Sequence, residues 1–201
     1  LCSPNNPSGN SFSVDTVEEL LMKFKCLVVI DEAYIDFSNE ESWLSELKNY
    51  TNLIITQTFS KAYGMAGIRL GICYASEEVI GILNKIKPPY NVNELTQQRA
   101  LGRILKIDKV KSEVIDILKE RDLLSKALVE LNYVAKVYKT DANFILVKVD
   151  NATERYNQLL KKGIVVRNRT TQPLCENSLR FTVGAKEENN KLIQILKEIA
   201  E

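Results

Sequence analysis

The stretch TQTFSKAYGMAGIRLGI, residues 56–72, combines a reactive amine with groups that bind anions. Lys61 carries an amine, a group that serves proteins as a nucleophile and as a general base. Thr58, Ser60 and Arg69 supply two hydroxyls and a guanidinium, which are good donors to a phosphate group. The three glycines of this stretch let the backbone come close to a ligand. The pattern predicts a lysine-centred anion site.

Three further polar motifs follow or adjoin apolar runs, namely SPNNPSG (3–9), DEAYIDF (31–37) and SLRFTVG (178–184). Each one alone has an ordinary structural explanation. Asn, Pro and Gly form turns, and an aspartate after a strand often caps a helix or pairs with a cation. An arginine within a strand, such as Arg180, often reaches water at a sheet edge. The occurrence of all four motifs in one chain is more specific than any one of them.

Apolar runs predict the strands that place these motifs. CLVVID (26–31), NLIITQTF (52–59) and LGICYAS (70–76) read as buried strands. Apolar residues at helical spacing predict helices around 14–24, 40–49, 77–87 and 93–106. This alternation predicts an α/β sheet whose ligands bind beyond the carboxyl ends of its strands.

The pattern of the second part of the chain predicts a unit separate from the α/β sheet of the first part. Residues 108–131 contain no Gly or Pro and read as one helix of about 36 Å, long enough to pass from one domain to another. Beyond it, the patterns predict a small α+β unit with strands at 143–149, 163–169 and 178–183 and helices at 152–162 and 186–200. We therefore place a domain boundary near residue 131, which divides the chain into 1–131 and 132–201.

Composition restricts the class of protein. The net charge is +1 and no basic block occurs, so nothing indicates binding to nucleic acid or to an anionic membrane. No apolar run approaches the roughly 20 residues of a membrane span. Four scattered cysteines indicate reduced thiols and a cytoplasmic protein. The absence of histidine excludes a Ser-His-Asp triad and disfavours a catalytic zinc site. Because the chain opens on LCSPNNPSG without an initiator methionine, we expect that part of the protein is missing.

Taken together, SPNNPSG, VVIDEAYIDF, TFSKAYGMAGIRLGI and LRFTVGAKEEN resemble the motifs of the fold-type-I aminotransferases that use pyridoxal 5′-phosphate. The spacing S-K-x-x-x-x-x-G-x-R-x-G carries this resemblance, and DEAYIDF favours the histidinol-phosphate branch. The resemblance covers essentially the whole chain, matched to the later portion of such an enzyme. It implies an α/β fold with part of the mostly parallel sheet of the large cofactor domain, followed by a small α+β C-terminal domain.

The resemblance also implies which residues contact the ring of the cofactor. Lys61 would form a Schiff base with the aldehyde, and its released amine would move the substrate proton. Asp31 would pair with the pyridine nitrogen. Tyr34 and Asn6 would hydrogen-bond the phenolic oxygen, with the Asn6–Pro7 peptide in the cis form.

Cofactor phosphate and substrate would be held by other residues that match the family motifs. Thr58, Ser60 and Arg69 would bind the cofactor phosphate, with Gly64 and Gly67 allowing close approach of the backbone. On the substrate side the resemblance implies Arg180 as the ligand of the substrate phosphate, Arg167 as a second ligand or else a solvated strand end, and Asn143 as a residue lining the site.

The implied activity is transfer of an amino group between histidinol phosphate or imidazole acetol phosphate and glutamate or 2-oxoglutarate, in histidine biosynthesis, by a cytoplasmic homodimer. Two alternatives within the family stay open, an aminotransferase of aromatic amino acids and an enzyme similar to threonine-phosphate decarboxylases. An alternative of another class is a catalytically incomplete fragment that acts at most as a binding module. The glycine-rich segment that caps the cofactor phosphate and the aromatic residue that stacks on the ring have no counterpart here. We therefore expect weak cofactor retention by this chain alone.

Overall fold

The computed structural model describes residues 1–200, which divide into two compact units. Unit 1 comprises residues 1–5 and 11–113, and unit 2 comprises residues 6–10 and the chain from Val114 onward. The division lies inside a long helix, whereas the boundary predicted from the sequence lies at the end of that helix. The difference arises because the second half of the helix buries Leu124 and Leu128 in the core of unit 2.

Unit 1 contains a three-stranded sheet. Its strands are β1 (Val28–Asp31), β2 (Leu53–Thr58) and β3 (Gly71–Tyr74), in the order β1-β2-β3. β1 and β2 pair in parallel, while β2 and β3 pair antiparallel. The predicted strands are therefore present, in a mixed sheet. The mostly parallel sheet expected for a larger domain stays a prediction, since these strands include one pair of each kind.

Helices in unit 1 begin and end close to the predicted positions. They are α1 (Val14–Lys23), α2 (Glu77–Ile86), α3 (Glu94–Ile104) and the first half of α4 (Ile107–Val129). The helix predicted around 40–49 is replaced by a 3₁₀ turn over Trp43–Glu46. The first N–H groups of that turn bond to side chains of Glu32 and Ser42, which fix a short turn at this point.

A small apolar core lies on one face of the sheet in unit 1. Val17 and Leu21 of α1 pack against the inward side chains of β1 and β2, and Trp43 closes the cluster. Along β1 the buried side chain is Ile30, whereas Val29 on the other face is exposed. Because side chains alternate along a strand, Glu32 follows Ile30 on the core face and Asp31 lies on the other face.

Unit 2 contains an antiparallel sheet of four strands. They are β4 (Val134–Val137), β5 (Phe144–Val149), β6 (Arg167–Asn168) and β7 (Ser178–Thr182), in the order β4-β5-β7-β6. The sequence patterns missed β4. The strand predicted over 163–169 is only two residues long, because Gly163 adopts a φ of 77° and the chain turns back onto the preceding helix there.

One face of this sheet is covered by an extensive apolar core. The core joins the inward residues of β5 and β7 to the second half of α4, to α5 (Ala152–Lys161) and to α6 (Lys186–Glu198). On β7, Leu179 and Phe181 point into this core. Arg180 lies between them in sequence and therefore on the opposite face. None of the helices within residues 1–200 is both long and apolar enough to cross a membrane.

Candidate active site

Lys61 and Tyr34 meet beyond the carboxyl ends of β2 and β1. The Lys61 ammonium nitrogen lies 5.1 Å from the centroid of the Tyr34 ring, within the range of a cation–π contact. Tyr34 is buried, and Lys61 is half-buried in a tight turn whose Gly64 N–H donates to the Lys61 carbonyl at 2.9 Å. Two neighbouring parallel strands thus bring a lysine and a tyrosine, 27 residues apart in sequence (61 minus 34), to one place.

Asp31 ends β1 on the face of the sheet opposite to the core. Its backbone pairs with Thr56 of β2, and its Oδ1 accepts the N–H of Ala33 at 3.1 Å. The Cys2 thiol donates to Oδ2 at 3.9 Å. Partial burial raises the pKa of the Cys2 thiol, and the Asp31 carboxylate raises it further, so the thiol form that donates to Asp31 is favoured.

Thr58 and Ser60 form a pair of hydroxyls at the end of β2. Thr58 Oγ1 donates to Ser60 Oγ at 2.9 Å, and the Ser60 N–H donates to Thr58 Oγ1 at 3.1 Å. The Phe59 N–H donates to the Leu70 carbonyl at 3.2 Å, which holds the far end of the loop beside this pair. Two half-buried hydroxyls are therefore held together within the same turn as Lys61.

Arg69 follows the loop in a backbone conformation that only a small fraction of residues other than glycine adopt. Its φ and ψ are 56° and 47°, in the left-handed region. The exposed guanidinium donates from Nη1 to the Ala66 carbonyl at 2.9 Å. Gly64 also has a positive φ, of 66°, and a Cβ at Gly64 or Gly67 would meet no described atom within 4 Å. That Arg69 and the two glycines serve a phosphate stays a prediction.

Unit 2 contains the three residues predicted to bind the substrate, which are Arg180, Arg167 and Asn143. Arg180 Nη1 donates to Asn6 Oδ1 at 2.6 Å, and the guanidinium carbon lies 4.8 Å from the centroid of the Phe144 ring. Arg167 of β6 stands directly opposite Arg180 in the strand register. Two like charges opposite each other across strands are unfavourable unless an anion screens them. Asn143 precedes Phe144 and is half-buried, with its carbonyl accepting the Val183 N–H at 2.9 Å.

The turn that carries Asn6 belongs to unit 2. The Asn6–Pro7 peptide is cis, as expected, and Ser3–Pro4 is cis as well. Gly9 has a φ of 83°, and a Cβ at this position would lie 2.4 Å from Thr140 Oγ1. The Gly9 carbonyl accepts the N–H of Asp141 at 2.7 Å. Only glycine fits at this position, and the close packing sets the turn against Thr140 and Asp141, which precede β5.

The sequence interpretation missed Glu32 as a residue of the site region. Its carboxylate is almost fully buried and accepts hydrogen bonds from the side chains of Ser42 and Gln57 and from the N–H of Trp43. The available signal was alternation, because a residue two positions after the core residue Ile30 falls on the core face.

The strand-end lysine, the hydroxyl pair and the mixed α/β architecture are features of a known class of protein. Residues 1–196 match the family described as aminotransferase class I and II. The chain belongs to this family.

Two relatives and one solved structure illustrate the similarity. The chain is 69% identical over 197 residues to a histidinol-phosphate aminotransferase of Flavobacterium johnsoniae, covering 98% of the chain and 56% of that relative. It is 61% identical over 199 residues to a histidinol-phosphate aminotransferase of Christiangramia forsetii, covering 99% of the chain and 57% of the relative. The crystal structure of the histidinol-phosphate aminotransferase from Clostridium acetobutylicum superposes with a TM-score of 0.93 at 27% identity, covering 100% of this chain and 63% of that one. The chain thus spans a little over half the length of the curated relatives.

Proposed function

We propose that the complete protein is a pyridoxal-phosphate-dependent aminotransferase that exchanges an amino group between histidinol phosphate or imidazole acetol phosphate and glutamate or 2-oxoglutarate. The observation that carries this proposal is the Lys61 amine held at the Tyr34 ring, beside the paired hydroxyls of Thr58 and Ser60, at adjoining strand ends. The names of relatives that are 69% and 61% identical support the choice of substrate.

The chemistry of these side chains fits the cofactor. An amine at Lys61 suits its aldehyde, and the Asp31 carboxylate suits a protonated pyridine nitrogen. Hydroxyls at Thr58 and Ser60, with the guanidinium of Arg69, suit its phosphate because they offer short and charge-assisted hydrogen bonds. When bound, the cofactor supplies an electron sink for the substrate's α-carbon.

Residues of this chain would perform the binding and the proton transfer. Lys61 Nζ would take the proton from the α-carbon and return it two atoms further along, which amounts to a 1,3-proton shift. The Tyr34 hydroxyl and the Asn6 amide would hold the phenolic oxygen of the cofactor. Asp31 would keep the ring nitrogen protonated, because an adjacent carboxylate favours the charged form.

The arginines of unit 2 would bind the substrate phosphate. Arg180 is already oriented by Asn6 and by the Phe144 ring, and Arg167 stands opposite it. An anion between two guanidinium groups would relieve their repulsion and would be held by several charge-assisted bonds. Asn143, next to Phe144 in sequence, would line the same site.

The proposal extends to organisation and location. Residues 1–131 would be part of the large cofactor domain, with its mostly parallel sheet, and residues 132–201 would be the small C-terminal domain. The enzyme would act as a cytoplasmic homodimer. Because the chain spans little more than half of its relatives, we expect the complete protein to bind the cofactor more tightly than residues 1–201 alone. A titration of both forms tests this, and equal affinities would contradict it.

A panel of amino donors tests the substrate. The complete protein is assayed with histidinol phosphate, phenylalanine and threonine phosphate, each with 2-oxoglutarate, and both glutamate and carbon dioxide are measured. We expect the highest kcat/KM for histidinol phosphate and no carbon dioxide from threonine phosphate. A preference for phenylalanine, or release of carbon dioxide, would assign the protein to one of the other two activities. Glutamate formation by a sample purified in the same way from cells that do not express the protein would show a contaminating enzyme.

A further inference from the structure

Glu32 is a buried carboxylate that the proposed chemistry leaves unused. It is 1% exposed, and no ion pair among residues 1–200 includes it. Burying a carboxylate without a cation is unfavourable unless hydrogen bonds replace the lost water. The hydrogen bonds of Glu32, and the segments that they hold in place, therefore have to explain why this carboxylate is buried.

Three donors converge on Glu32. Ser42 Oγ donates to Oε2 at 2.6 Å, and Gln57 Nε2 donates to the same oxygen at 2.9 Å. The Trp43 N–H donates to Oε1 at 2.7 Å. This set of donors suits an ionised carboxylate, which only accepts hydrogen bonds. Charge-assisted bonds of this length are stronger than those between neutral groups.

The hydrogen bonds of Glu32 connect the two strand ends that carry the candidate cofactor residues. Glu32 directly follows Asp31, and its N–H donates to the Thr56 carbonyl at 2.8 Å, extending the β1–β2 ladder by one residue. Gln57 lies one residue before Thr58 on β2. The bond between Glu32 and Gln57 therefore links β1 to β2 at the point where both strands end.

This link lies on the face of the sheet opposite to Asp31 and Thr58. Glu32 follows Ile30 by two residues, and Gln57 follows Ile55 by two, so both point toward the core face. Burial raises the pKa of the Tyr74 phenol, and the Glu32 carboxylate adds to that rise. Since Tyr74 packs against the same core, its environment agrees with this placement. Glu32 therefore contacts β2 on the core face of the sheet, opposite to the face that carries Asp31 and Thr58.

We propose that Glu32 is a positioning residue that, through Gln57, Ser42 and Trp43, holds the ends of β1 and β2 so that Asp31 and Lys61 keep their places. The role of those two residues rests on the proposed function. Without the link, the end of β2 that leads into the turn from Thr58 to Gly64 would keep its backbone ladder to β1 but lose its side-chain bond to it. Displacements of about 1 Å are enough to cost a large part of a site's activity.

Three variants distinguish the effect of breaking the Glu32 hydrogen bonds from the effect of a general loss of stability. Gln57→Met removes the donor on β2 and leaves Glu32 with two partners. Glu32→Leu removes all three bonds. Glu32→Gln keeps an acceptor for Trp43 and can still bond Gln57, so it should restore most of the function. Val17→Ala serves as a matched control, because it weakens the core on the same face without touching the link. Glu41→Gln controls for removal of an exposed carboxylate nearby.

The measurements are made on the complete protein. They are the Kd for pyridoxal phosphate, the pH midpoint of the absorbance of the lysine-bound cofactor, and the amide hydrogen exchange of residues 58–64 in the cofactor-free protein. We expect Gln57→Met and Glu32→Leu to weaken cofactor binding roughly tenfold or more. They should also move the pH midpoint and speed the exchange, while Glu32→Gln and both controls stay near the wild type.

Two different results would overturn the proposals, and they are distinguishable. If Gln57→Met and Glu32→Leu change the three measurements no more than Val17→Ala at equal Tm, Glu32 is only part of the core. If the wild type attaches no cofactor to Lys61, the proposed function fails. In that case the hydrogen exchange still decides the role of Glu32, because unchanged exchange of residues 58–64 would overturn its positioning role. Should Glu32→Leu not fold, Gln57→Met carries the test.

Discussion

The two compact units differ in the contacts that hold their strands, which are mainly apolar in unit 2 and partly polar in unit 1. Among residues 1–200, one apolar cluster of unit 2 joins sixteen buried residues from its helices, its antiparallel sheet and the segments next to them, whereas the corresponding cluster of unit 1 has six. Unit 1 instead holds its strand ends with polar contacts, among them the Glu32 hydrogen bonds and the pair formed by Thr58 and Ser60. The comparison shows that unit 2 has the larger apolar cluster, while the strand ends proposed to hold the cofactor in unit 1 are held by polar contacts.

The largest effect is expected at Lys61, which lies in unit 1 and is not part of the apolar cluster of that unit. Lys61→Ala should lower kcat by about 10⁴-fold or more, because both the covalent attachment and the proton transfer are lost. The Tm should change little. Steady-state kinetics and thermal unfolding check this, with Lys85→Ala as an exposed control. Wild-type turnover by the variant would remove Lys61 from the mechanism.

The next largest effect is expected from the core of unit 2. Leu124 is 0% exposed and Leu123, its neighbour on α4, is 54% exposed. Leu124→Ala should lower the free energy of unfolding by about 3 kcal/mol, since it leaves a cavity, whereas Leu123→Ala should cost under about 1 kcal/mol. Denaturant titration measures both. Equal losses would show that unit 2 is not packed as described.

Arg180 differs from the core residues of unit 2, because it belongs to that unit but faces away from its core. Arg180→Gln should lower kcat/KM for a phosphorylated substrate by about 100-fold, mainly through KM, because the variant lacks one of the two proposed charged ligands of the phosphate. Attachment of the cofactor to Lys61 should be unaffected. Lys197→Gln, on exposed α6 surface, is the control. A loss of cofactor attachment in the arginine variant would contradict this division of roles.

The smallest effect is a pH dependence in unit 2. Tyr133 is buried, donates to the Leu196 carbonyl at 3.0 Å, and has its pKa raised to about 12, chiefly by desolvation. In the unfolded chain a tyrosine has a pKa of about 10, so above that pH the unfolded state loses its proton first. Stability is therefore fully present below about pH 10 and falls toward pH 12, by about 2 kcal/mol.

Comparison with Tyr133→Phe isolates this pH dependence. The variant lacks the titrating group, so its free energy of unfolding should decline less between pH 9 and pH 12 than that of the wild type. Denaturant titrations across this range check it, since other alkaline effects are common to both proteins. Parallel curves would show that Tyr133 is not desolvated in the folded state.

Patterns of period 2 and 3.6 predicted most elements, because apolar burial is a local feature of the sequence. The strands β1, β2, β3, β5 and β7 and the helices α1 to α6 lie close to the predicted ranges. β4 was missed because VAKV carries only two partly buried positions and follows the end of a long helix. The prediction of a helix around 40–49 was wrong. A 3₁₀ turn forms there instead, because the Glu32 carboxylate, 11 residues earlier, accepts the N–H of Trp43.

The sequence was enough to predict which residues form the candidate site. It was not enough to predict which of those residues contact one another. Polar motifs after apolar strands indicated Asp31 and Lys61, and a resemblance to a family added the cofactor. The bond from Arg180 to Asn6 joins residues 174 positions apart. The Glu32 bond to Gln57 spans 25 positions. Such contacts depend on which strands become neighbours, which no local pattern in one sequence specifies.

The measurement that tests the central claim most directly is peptide mapping by mass spectrometry after incubation with pyridoxal phosphate and reduction with borohydride. The account predicts one selective adduct, on the peptide that contains Lys61, and none on that peptide in the Lys61→Ala variant. Adducts spread over exposed lysines, with no preference for Lys61, would contradict the assignment of this strand end as the cofactor site.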